Sequence, residues 1–413
     1  MRLSLVTRLA ARNLARNVRR TILSVVGVGV GCAVAVYVWS FSAGAKELRV
    51  RGVAESGLGH MAIVPAEWVE TRDPDLRIED WRDELETARS LTGMRAAAPS
   101  ATASALLAFG TRVAGVEIRG VDPEVERDMN RLTRTVKEGR YLEPGDAGAT
   151  VIGRGVADRL DVGLGDELFV TVVEAGGQIE YVMLGIVGIV DTGSKSLDSS
   201  FCHVTLSQLS EMTGLSGPTS IAVLVEDIDA IDERAEALRG KIDESNAVLT
   251  WRRLVPAMGA DAAADDAFSN TLVATIIMVV MLGVTSARLT AVLERKHEFA
   301  VLLALGMRPF QLARLIALEA LVVGLLGSAV GLGMATPLVY HLANTGLDFA
   351  EAFAGDFSIA GALFDPVIYG DMGPWMVPVP FVVGVAATLV AALYPTLSAV
   401  RPDPTSALTM REG

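Results

Sequence analysis

The stretch "ERKHEFAVLLALGMRPFQLARLIALEALVVGLLGSAVGLG", residues 294–333, begins with charged side chains and ends in an apolar run. Glu294, Arg295, Lys296 and Glu298 all lie at its start, whereas 28 residues without a charge separate Glu319 from Asp348. A transmembrane helix needs roughly 20 such residues. The stretch therefore predicts a polar segment that leads directly into a membrane span.

Three more runs of this kind occur in the chain, at residues 21–45, 267–287 and 372–400. The composition agrees, because 51% of the 413 residues are apolar and the mean hydropathy is +0.41, more than an ordinary soluble protein carries. We predict an α-helical membrane protein with one span, a long insert and then three spans, at residues 21–43, 269–289, 315–340 and 376–399.

The charges predict which segments face the cytoplasm, because loops rich in Lys and Arg stay inside. Residues 1–20 hold six Arg and no acid, and residues 288–314 hold five basic residues against two acids. We therefore place residues 1–20, 290–314 and 400–413 in the cytoplasm. The insert, residues 44–268, holds 39 acids and 23 bases, and the loop at 341–375 has no Lys or Arg, so both are predicted to be external. A net charge of -13 argues against nucleic-acid binding.

The N-terminus allows more than one interpretation. Its apolar and Arg residues fall on opposite sides of a helix, which favours an amphipathic helix lying in the cytoplasmic interface at residues 1–20. A solvated basic leader is the simpler alternative. Ala43 and Ala45 also fit the cleavage site of a signal peptide, but the apolar run is longer than such peptides use, which favours an uncleaved anchor.

The external insert has the patterns of a folded α/β domain. Two segments, starting at Glu79 and Asp227, have helical spacing, and the strand-like runs lie between and around them. We expect a middle lobe at about residues 113–214 to project from a base formed by both ends of the insert. The predicted strands are "HMAIVPA" at His60, "RVAGVEIRGVD" at Arg112, "ELFVTVV" at Glu167, "IEYVMLGIVGIV" at Ile179 and "TSIAVLVED" at Thr219.

Catalytic motifs are missing from the sequence. It contains no G-x-x-x-x-G-K-[ST], no H-E-x-x-H and no G-x-S-x-G, and "GRGVAD" at Gly153 has Asp158 where a dinucleotide loop needs glycine. The two cysteines, Cys32 and Cys202, cannot form a disulfide framework or a metal cluster. We expect no catalytic residue, cofactor or metal in this chain.

Seven segments, in order along the chain, carry a family resemblance. The sequence resembles permeases of the FtsX/MacB superfamily of ABC transporters, most closely the lipoprotein-releasing LolC/LolE type. The segments are "RNLARNVRRTILSVVGV" at Arg12, "IRGVDPEVE" at Ile118, "EGRYLEPGD" at Glu138, "VIGRGVADRLDVGLGDEL" at Val151, "GIVDTGSKSLDSSF" at Gly188, "ERKHEFAVLLALGMRPFQL" at Glu294 and "YPTLSAVRPDPTSAL" at Tyr394.

The resemblance implies that the polar segment at residues 290–314 contains a short coupling helix, which docks on a separate ATPase subunit. Polar contacts would come from Arg295, Lys296, His297 and Glu298. Apolar contacts would come from Phe299, Leu302 and Leu303, with Gly306, Met307 and Pro309 at the turn back into the membrane. The alternative is that these residues simply flank a span under the positive-inside rule.

The resemblance also implies the partners and the location. The chain would lie in the bacterial inner membrane with a MacB-like periplasmic domain, paired with a second permease that is either a copy or a paralogue. Two ATPase subunits would bind the ATP and Mg, and membrane lipid, a lipoprotein cargo and a periplasmic carrier would complete the system. Efflux of drugs or peptides, and FtsX-type regulation of a cell-wall hydrolase, remain alternatives, although the insert is large for the regulator.

Residues inside the predicted spans suggest two further sites and an ion pair. Gly327 and Gly331 form a small-xxx-small pair suited to helix packing, although glycine is common in membrane helices. Glu319, near the cytoplasmic boundary, could pair with a base such as Arg314 or have a conformational role. The candidates for an acyl-chain cleft, which could equally face lipid or neighbouring helices, are Val34, Val38, Phe41, Phe268, Leu272 and Ile276.

Overall fold

The computed structural model describes residues 18–174, 176–350, 358–359 and 362–400. The predicted interfacial helix therefore lies outside the described residues except for its last three, and the C-terminal tail lies outside them from residue 401. The chain forms two compact units. A helical unit comprises Met1–Ala45, Ala264–Leu347 and Tyr369–Gly413, and an external unit comprises Lys46–Ala263 and Asp348–Ile368.

Helices and strands alternate along the external unit, between the first and second long helices. The helices are α1 Val18–Val53, α2 Trp68–Thr71, α3 Trp81–Ser90, α4 Pro123–Met129, α5 Arg154–Leu160, α6 Lys195–Asp198, α7 Leu206–Thr213, α8 Ile231–Arg239, α9 Trp251–Leu254, α10 Pro256–Glu294, α11 Lys296–Ala304, α12 Pro309–Thr345, α13 Pro378–Ala391 and α14 Leu393–Val400. The strands are β1 Met61–Pro65, β2 Met94–Phe109, β3 Arg112–Val121, β4 Val136–Gly139, β5 Ala149–Gly153, β6 Glu167–Val173, β7 Ile179–Val190, β8 Cys202–Thr205, β9 Ser220–Val225, β10 Asn246–Thr250, β11 Leu347–Asp348, β12 Ser358–Ile359, β13 Ala362–Leu363 and β14 Val367–Ile368.

Four helices in the described residues are long and apolar enough to cross a membrane. Their limits are Val18–Leu58, Pro256–Glu294, Pro309–Thr345 and Pro374–Val400. Each contains one of the predicted spans and extends beyond it, and the first three continue through polar residues at their ends. α10, for example, has 39 residues and begins before three aspartates, Asp261, Asp265 and Asp266.

The external unit is built around one sheet in which β2 has a central place. The residues of β2 at its start pair with β9, and from Ser100 onward they pair with β3. β6 pairs with the far end of β2 and with β7, while β8 pairs with β3 and β5, and β5 pairs with β7. These pairings close a ring of six strands, so the middle of the external unit is a small barrel. β1, β9 and β10 extend the sheet on the other side of β2.

The two largest hydrophobic cores of the external unit lie at the two ends of this sheet. Inside the barrel, Leu107, Ile118, Leu168 and Leu184 are buried together. The second core packs β1, β9 and β10 against helices α3 and α8. Ala101 and Leu107 of β2 belong to the barrel core, so that core begins before residue 113, where we placed the start of the middle lobe.

All five predicted strands are present, but β2, the longest strand described, was not predicted, and neither were β4, β5, β8 and β10. Its sequence, "MRAAAPSATASALLAF", is rich in alanine and contains Pro99, and both residue types are uncommon in strands. Pairing on both edges outweighs these local preferences. β3 follows β2 directly through a tight turn, whereas β6 and β9 come from distant parts of the chain, and only the tertiary fold brings those two strands to β2.

A π-helical turn, Ala54–Leu58, ends the first long helix inside the external unit. Gly57 has a φ of 81°, which favours glycine. Nη2 of Arg119 donates hydrogen bonds to Gly57 O at 2.6 Å and to Ser100 Oγ at 3.2 Å. The buried carboxylate of Glu126 accepts a hydrogen bond from Asn130 Nδ2 at 2.7 Å, and burial raises the pKa of Glu126. Polar side chains thus hold the end of α1 against β2 and β3.

Candidate functional site

The polar segment between the second and third long helices contains a separate short helix, α11. The backbone N–H of Gly306 donates to Leu303 O, and that of Met307 donates to Leu302 O, each at 3.0 Å. With φ of 92° at Gly306, these bonds form a Schellman motif that ends the helix. Pro309 then occupies the first turn of α12, where its missing N–H costs nothing. The chain thus passes from α11 into the next long helix within four residues.

One side of α11 faces the interior of the helical unit. Phe299 is only 4% exposed and packs with Val292, Leu312 and Ile316. Leu302, Leu303 and Met307 are partly buried against the same cluster. We expected Phe299 to contact an ATPase, and the structure corrects this. Positions 299, 302 and 303 lie on one stripe of a helix, and this stripe packs against the protein itself.

The opposite side of α11 is open. Leu305 is 79% exposed and Val301 is 45% exposed, and Phe310, just beyond the turn, is 77% exposed. His297 and Glu298 are exposed at the start of the helix, and Lys296 is half-buried. Our reading of the sequence missed Val301, Leu305 and Phe310. For Val301 and Leu305 the signal was available, because helical spacing places both on the side opposite the 299, 302, 303 stripe.

Ion pairs join the second and third long helices, and one of them involves Arg295, the residue before α11. Nη1 of Arg288 lies 3.4 Å from Glu319 Oε2, and Nη1 of Arg295 lies 3.7 Å from Glu319 Oε1. Arg295 also pairs with Glu298 at 3.0 Å, and Arg20 pairs with Glu294 at 2.8 Å. Glu319 thus has the ion pair that we considered, with Arg288 and Arg295 as partners.

The predicted small-residue pair lies where the first and third long helices meet. A Cβ built on Gly331 would lie 2.7 Å from Gly29 O and 2.6 Å from Cys32 Cβ. A Cβ built on Gly327 would lie 2.6 Å from a methyl of Val28. These distances are shorter than van der Waals contact. Glycine at these positions permits the close approach of α1 and α12.

A small apolar cavity lies between α1, α10 and α13. Its volume is about 30 Å³, room for little more than one water-sized group. Ile276 lines it, together with Trp39, Val280 and Pro380. Of the other cleft candidates, Val34, Phe268 and Leu272 are exposed, and Val38 and Phe41 are half-buried. The structure therefore brings only Ile276 of our six candidates to this cavity.

The outer surface of the barrel carries an apolar patch on β3, β6 and β7, with β2 between β3 and β6. Phe169 of β6 is 54% exposed and stands opposite Met183 of β7, which is 47% exposed. Tyr181 of β7 is 66% exposed, and Val113 of β3 is 57% exposed. Exposed apolar patches of this kind commonly mark protein–protein contacts. We call these four residues the barrel patch.

The buried histidine of the barrel has structural contacts. Nδ1 of His203 lies 2.8 Å from the hydroxyl of Tyr141, and its ring stacks on Phe201 at 4.0 Å. Burial lowers the pKa of His203 well below its ordinary value and raises that of Cys202 to about 11. His203 is therefore neutral and Cys202 a thiol at neutral pH. Among the described residues, no group of three or more His, Cys, Asp or Glu could hold a metal ion.

Comparison with known families covers most of the chain. Residues 21–241 match the MacB-like periplasmic core domain, and residues 270–404 match the FtsX-like permease C-terminal domain. The boundary between the two matches falls near the end of the external unit.

Individual relatives include two kinds of transport protein. The lipoprotein-releasing system transmembrane protein LolC of Neisseria meningitidis serogroup B is 24% identical and covers 94% of this chain and 93% of its own length. The macrolide export ATP-binding/permease protein MacB of Azoarcus sp. is 26% identical and covers 84% of this chain and 55% of its own length. The extracellular domain of the transporter YknZ from Gram-positive bacteria has 19% identity over 46% of this chain and 98% of its own, with a TM-score of 0.34.

Proposed function

This chain belongs to the FtsX/MacB superfamily of ABC transporter permeases, and from that premise we propose that it is the membrane subunit of a lipoprotein-releasing transporter. The observation that carries the proposal is the end-to-end match to LolC. That match runs over nearly the whole of both chains, whereas the match to MacB leaves almost half of MacB uncovered.

In this proposal the chain crosses the bacterial inner membrane four times, with one helix before the external unit and three after it. The basic residues at 1–20 and 290–314 face the cytoplasm, and the acidic external unit lies in the periplasm as two lobes. The four long apolar helices and the two hydrophobic cores of the external unit support this arrangement.

Energy comes from a separate ATPase, because the sequence has no P-loop. Two ATPase subunits bind ATP and Mg, and each docks on the open side of α11 through Val301, Leu305 and the polar side chain of His297. A displacement of α11 reaches α10 and α12 through the Glu319 ion pairs. A second permease, either a copy or a paralogue, completes the unit.

The cargo is an acylated protein in the outer leaflet. At about 30 Å³, the cavity beside Ile276 is too small for an acyl chain, so the helices that line it must separate when cargo enters. A periplasmic carrier that accepts acyl chains presents apolar surface, and the barrel patch is a complementary surface on this chain.

Photo-crosslinking in native membranes tests this function. A crosslinker at Leu272, which is 37% exposed, should capture acylated protein, and ATP should change the yield. The matched control is Leu282, 64% exposed on the same helix and nearer its cytoplasmic end, where capture should be weaker. Mass spectrometry of the purified complex should also identify an ATPase and a second permease. Equal capture of acylated protein at both positions would contradict the proposal.

The second candidate is efflux of drugs or peptides, which the match to the macrolide exporter MacB favours. Depletion of the protein separates the two functions. If lipoprotein sorting continues while the cells become sensitive to a drug or peptide, and the crosslinkers capture only phospholipid, efflux is the better account.

A further inference from the structure

The external unit contains a polar cavity that the proposed transport cycle does not use. Its volume is about 360 Å³, within the range of small-molecule sites. It is lined by the end of α1, the residue before β1, the start of β2, the end of β9, and the end of α4 with the residues after it. The polar residues that line it include Arg51, His60, Arg95, Asp128, Arg134 and Glu226.

A β-bulge places one of the arginines in this cavity. Met94 pairs with Val225 and Ala96 pairs with Leu224, so Arg95 is the extra residue between two registers. Bulges turn a side chain away from the regular alternation of a strand. Arg95 is exposed, and its positive charge acts on His60. The bulge thus brings a guanidinium beside the buried imidazole.

His60 supplies a fixed hydrogen-bond donor. It is only 8% exposed, and its Nδ1 accepts a hydrogen bond from the backbone N–H of Val225 at 3.0 Å. Burial lowers its pKa to about 4, so the ring is neutral at pH 7. Because Nδ1 is an acceptor, the single ring proton lies on Nε2. The side chain thus offers an N–H to a ligand in the cavity that it lines.

The charges of the lining divide into paired and unpaired groups. Arg51 pairs with Glu47, and Arg131 pairs with Glu55 at 3.4 Å. In the part of the chain that the structure describes, Arg95, Arg134, Asp128 and Glu226 have no side-chain ion pair. Two guanidinium groups and two carboxylates therefore remain to meet a ligand. Ala54, Met129 and Leu224 add apolar surface.

We propose that this cavity binds a zwitterionic phospholipid headgroup of the phosphoethanolamine type. Arg95, Arg134 and the Nε2–H of His60 bind the phosphate, since guanidinium groups match phosphate geometry. Asp128 and Glu226 accept hydrogen bonds from the ammonium group. A purely anionic ligand would leave the two carboxylates facing like charge.

A phosphoethanolamine group can come from a membrane lipid or from a soluble glycerophosphodiester, and both present the same phosphate and ammonium groups to the cavity. We take the membrane lipid as the ligand, and this step rests on the membrane placement in the proposed function.

Native mass spectrometry of the full-length protein in detergent tests the site. The probes are phosphatidylethanolamine, phosphatidylcholine and phosphatidylglycerol. Phosphatidylcholine has no N–H on its cationic group, and phosphatidylglycerol has no cationic group. The protein should retain phosphatidylethanolamine about tenfold better than either of the other two lipids.

The Arg95→Ala/Arg134→Ala variant should lose this retention, and the Asp128→Asn/Glu226→Gln variant should retain the three lipids alike. The control, Arg159→Ala/Lys241→Ala, removes two exposed basic residues elsewhere and should behave as wild type.

Soluble glycerophosphoethanolamine tests the source of the ligand. Its failure to displace the lipid supports a membrane ligand, and displacement at equal concentration supports the site but assigns it to the soluble compound. Equal retention of all three lipids by wild type, or unchanged retention in the Arg95→Ala/Arg134→Ala variant, would overturn the proposal. Neither result depends on an ATPase or on lipoprotein release, so failure of the transport proposal would be seen separately.

Discussion

Nη1 of Arg295 lies 3.7 Å from Oε1 of Glu319, which joins the residue before α11 to the third long helix. The same carboxylate meets Arg288 of the second long helix at 3.4 Å, and the side chains of Arg288 and Glu319 are 11% and 12% exposed. Nη2 of Arg288 also donates to the backbone O of Glu319 at 2.9 Å. Three successive helices thus share one charged contact in addition to their packing.

Replacing Glu319 with Gln should destabilise the helical unit. The change leaves Arg288 buried without its charge partner, and breaking a buried pair costs roughly 3 kcal/mol or more. The thermal unfolding midpoint of the full chain in detergent measures the loss. As a control, Glu294→Gln removes a carboxylate that is 62% exposed, and it should cost less than about 1 kcal/mol. The double variant Arg288→Gln/Glu319→Gln should lose less than the sum of its single changes, and simple additivity would argue against the contact.

Leu305→Asp and Val301→Asp should release the ATPase without unfolding the permease. Both side chains point away from the protein, so a carboxylate there harms only a partner that must bury it. We expect binding at least about tenfold weaker, or about 1.4 kcal/mol, in a pull-down from membranes. Leu164→Asp, at a position 51% exposed in the external unit, is the control. Phe299→Asp should instead lower the unfolding midpoint, because Phe299 is buried. Full retention of the ATPase by both α11 variants would place the docking surface elsewhere.

Gly331→Ala should weaken the packing of the first and third long helices. The new methyl would meet Gly29 O at 2.7 Å, a backbone atom that can move only with its helix. Overpacking of this kind costs about 1 to 3 kcal/mol. A Cβ on Gly333 would meet nothing within 4 Å, so Gly333→Ala is a matched control on the same helix. Similar unfolding midpoints for the two variants would show that this contact does not limit stability.

Cysteine labelling tests the topology. Ser200 is exposed and lies in the acidic insert, which makes it a suitable external position. In a Cys32→Ala/Cys202→Ala background, Ser200→Cys should react with a membrane-impermeant maleimide in intact spheroplasts. Ala304→Cys, also exposed, should react only after the membrane is opened. Labelling in the reverse pattern would invert the orientation.

The stability of the external unit should fall as the pH drops from about 6.5 to about 4. The pKa of His60 is about 4 in the fold and 6.5 ordinarily, so between these values the unfolded chain binds a proton that the folded chain does not. Stability therefore rises with pH across this window, by about 3 kcal/mol in all. His60→Asn keeps an acceptor for the Val225 N–H but does not titrate. Pulse proteolysis of the full chain in urea should show a flatter pH dependence for this variant, and parallel curves would rule out His60 as the cause.

The sequence by itself determined the four apolar helices, the polar segment before the third one and the five strands with strong β patterns. These features depend on composition and on spacing within a single element, and both are local properties of the chain. The family was predicted from seven motifs and from their order along the chain, and both can be read from the sequence without the fold.

The tertiary structure alone decided β2, the closed ring of six strands and the face that α11 turns inward. β2 is a strand because β3, β6 and β9 pair with it, and its alanines and Pro99 carry no such signal. Phe299, Leu302 and Leu303 form an apolar stripe whatever surface they pack against. Whether it met a partner or the protein itself depended on Leu312 and Ile316, which reach Phe299 only because the Schellman turn at Gly306 folds α12 back against α11.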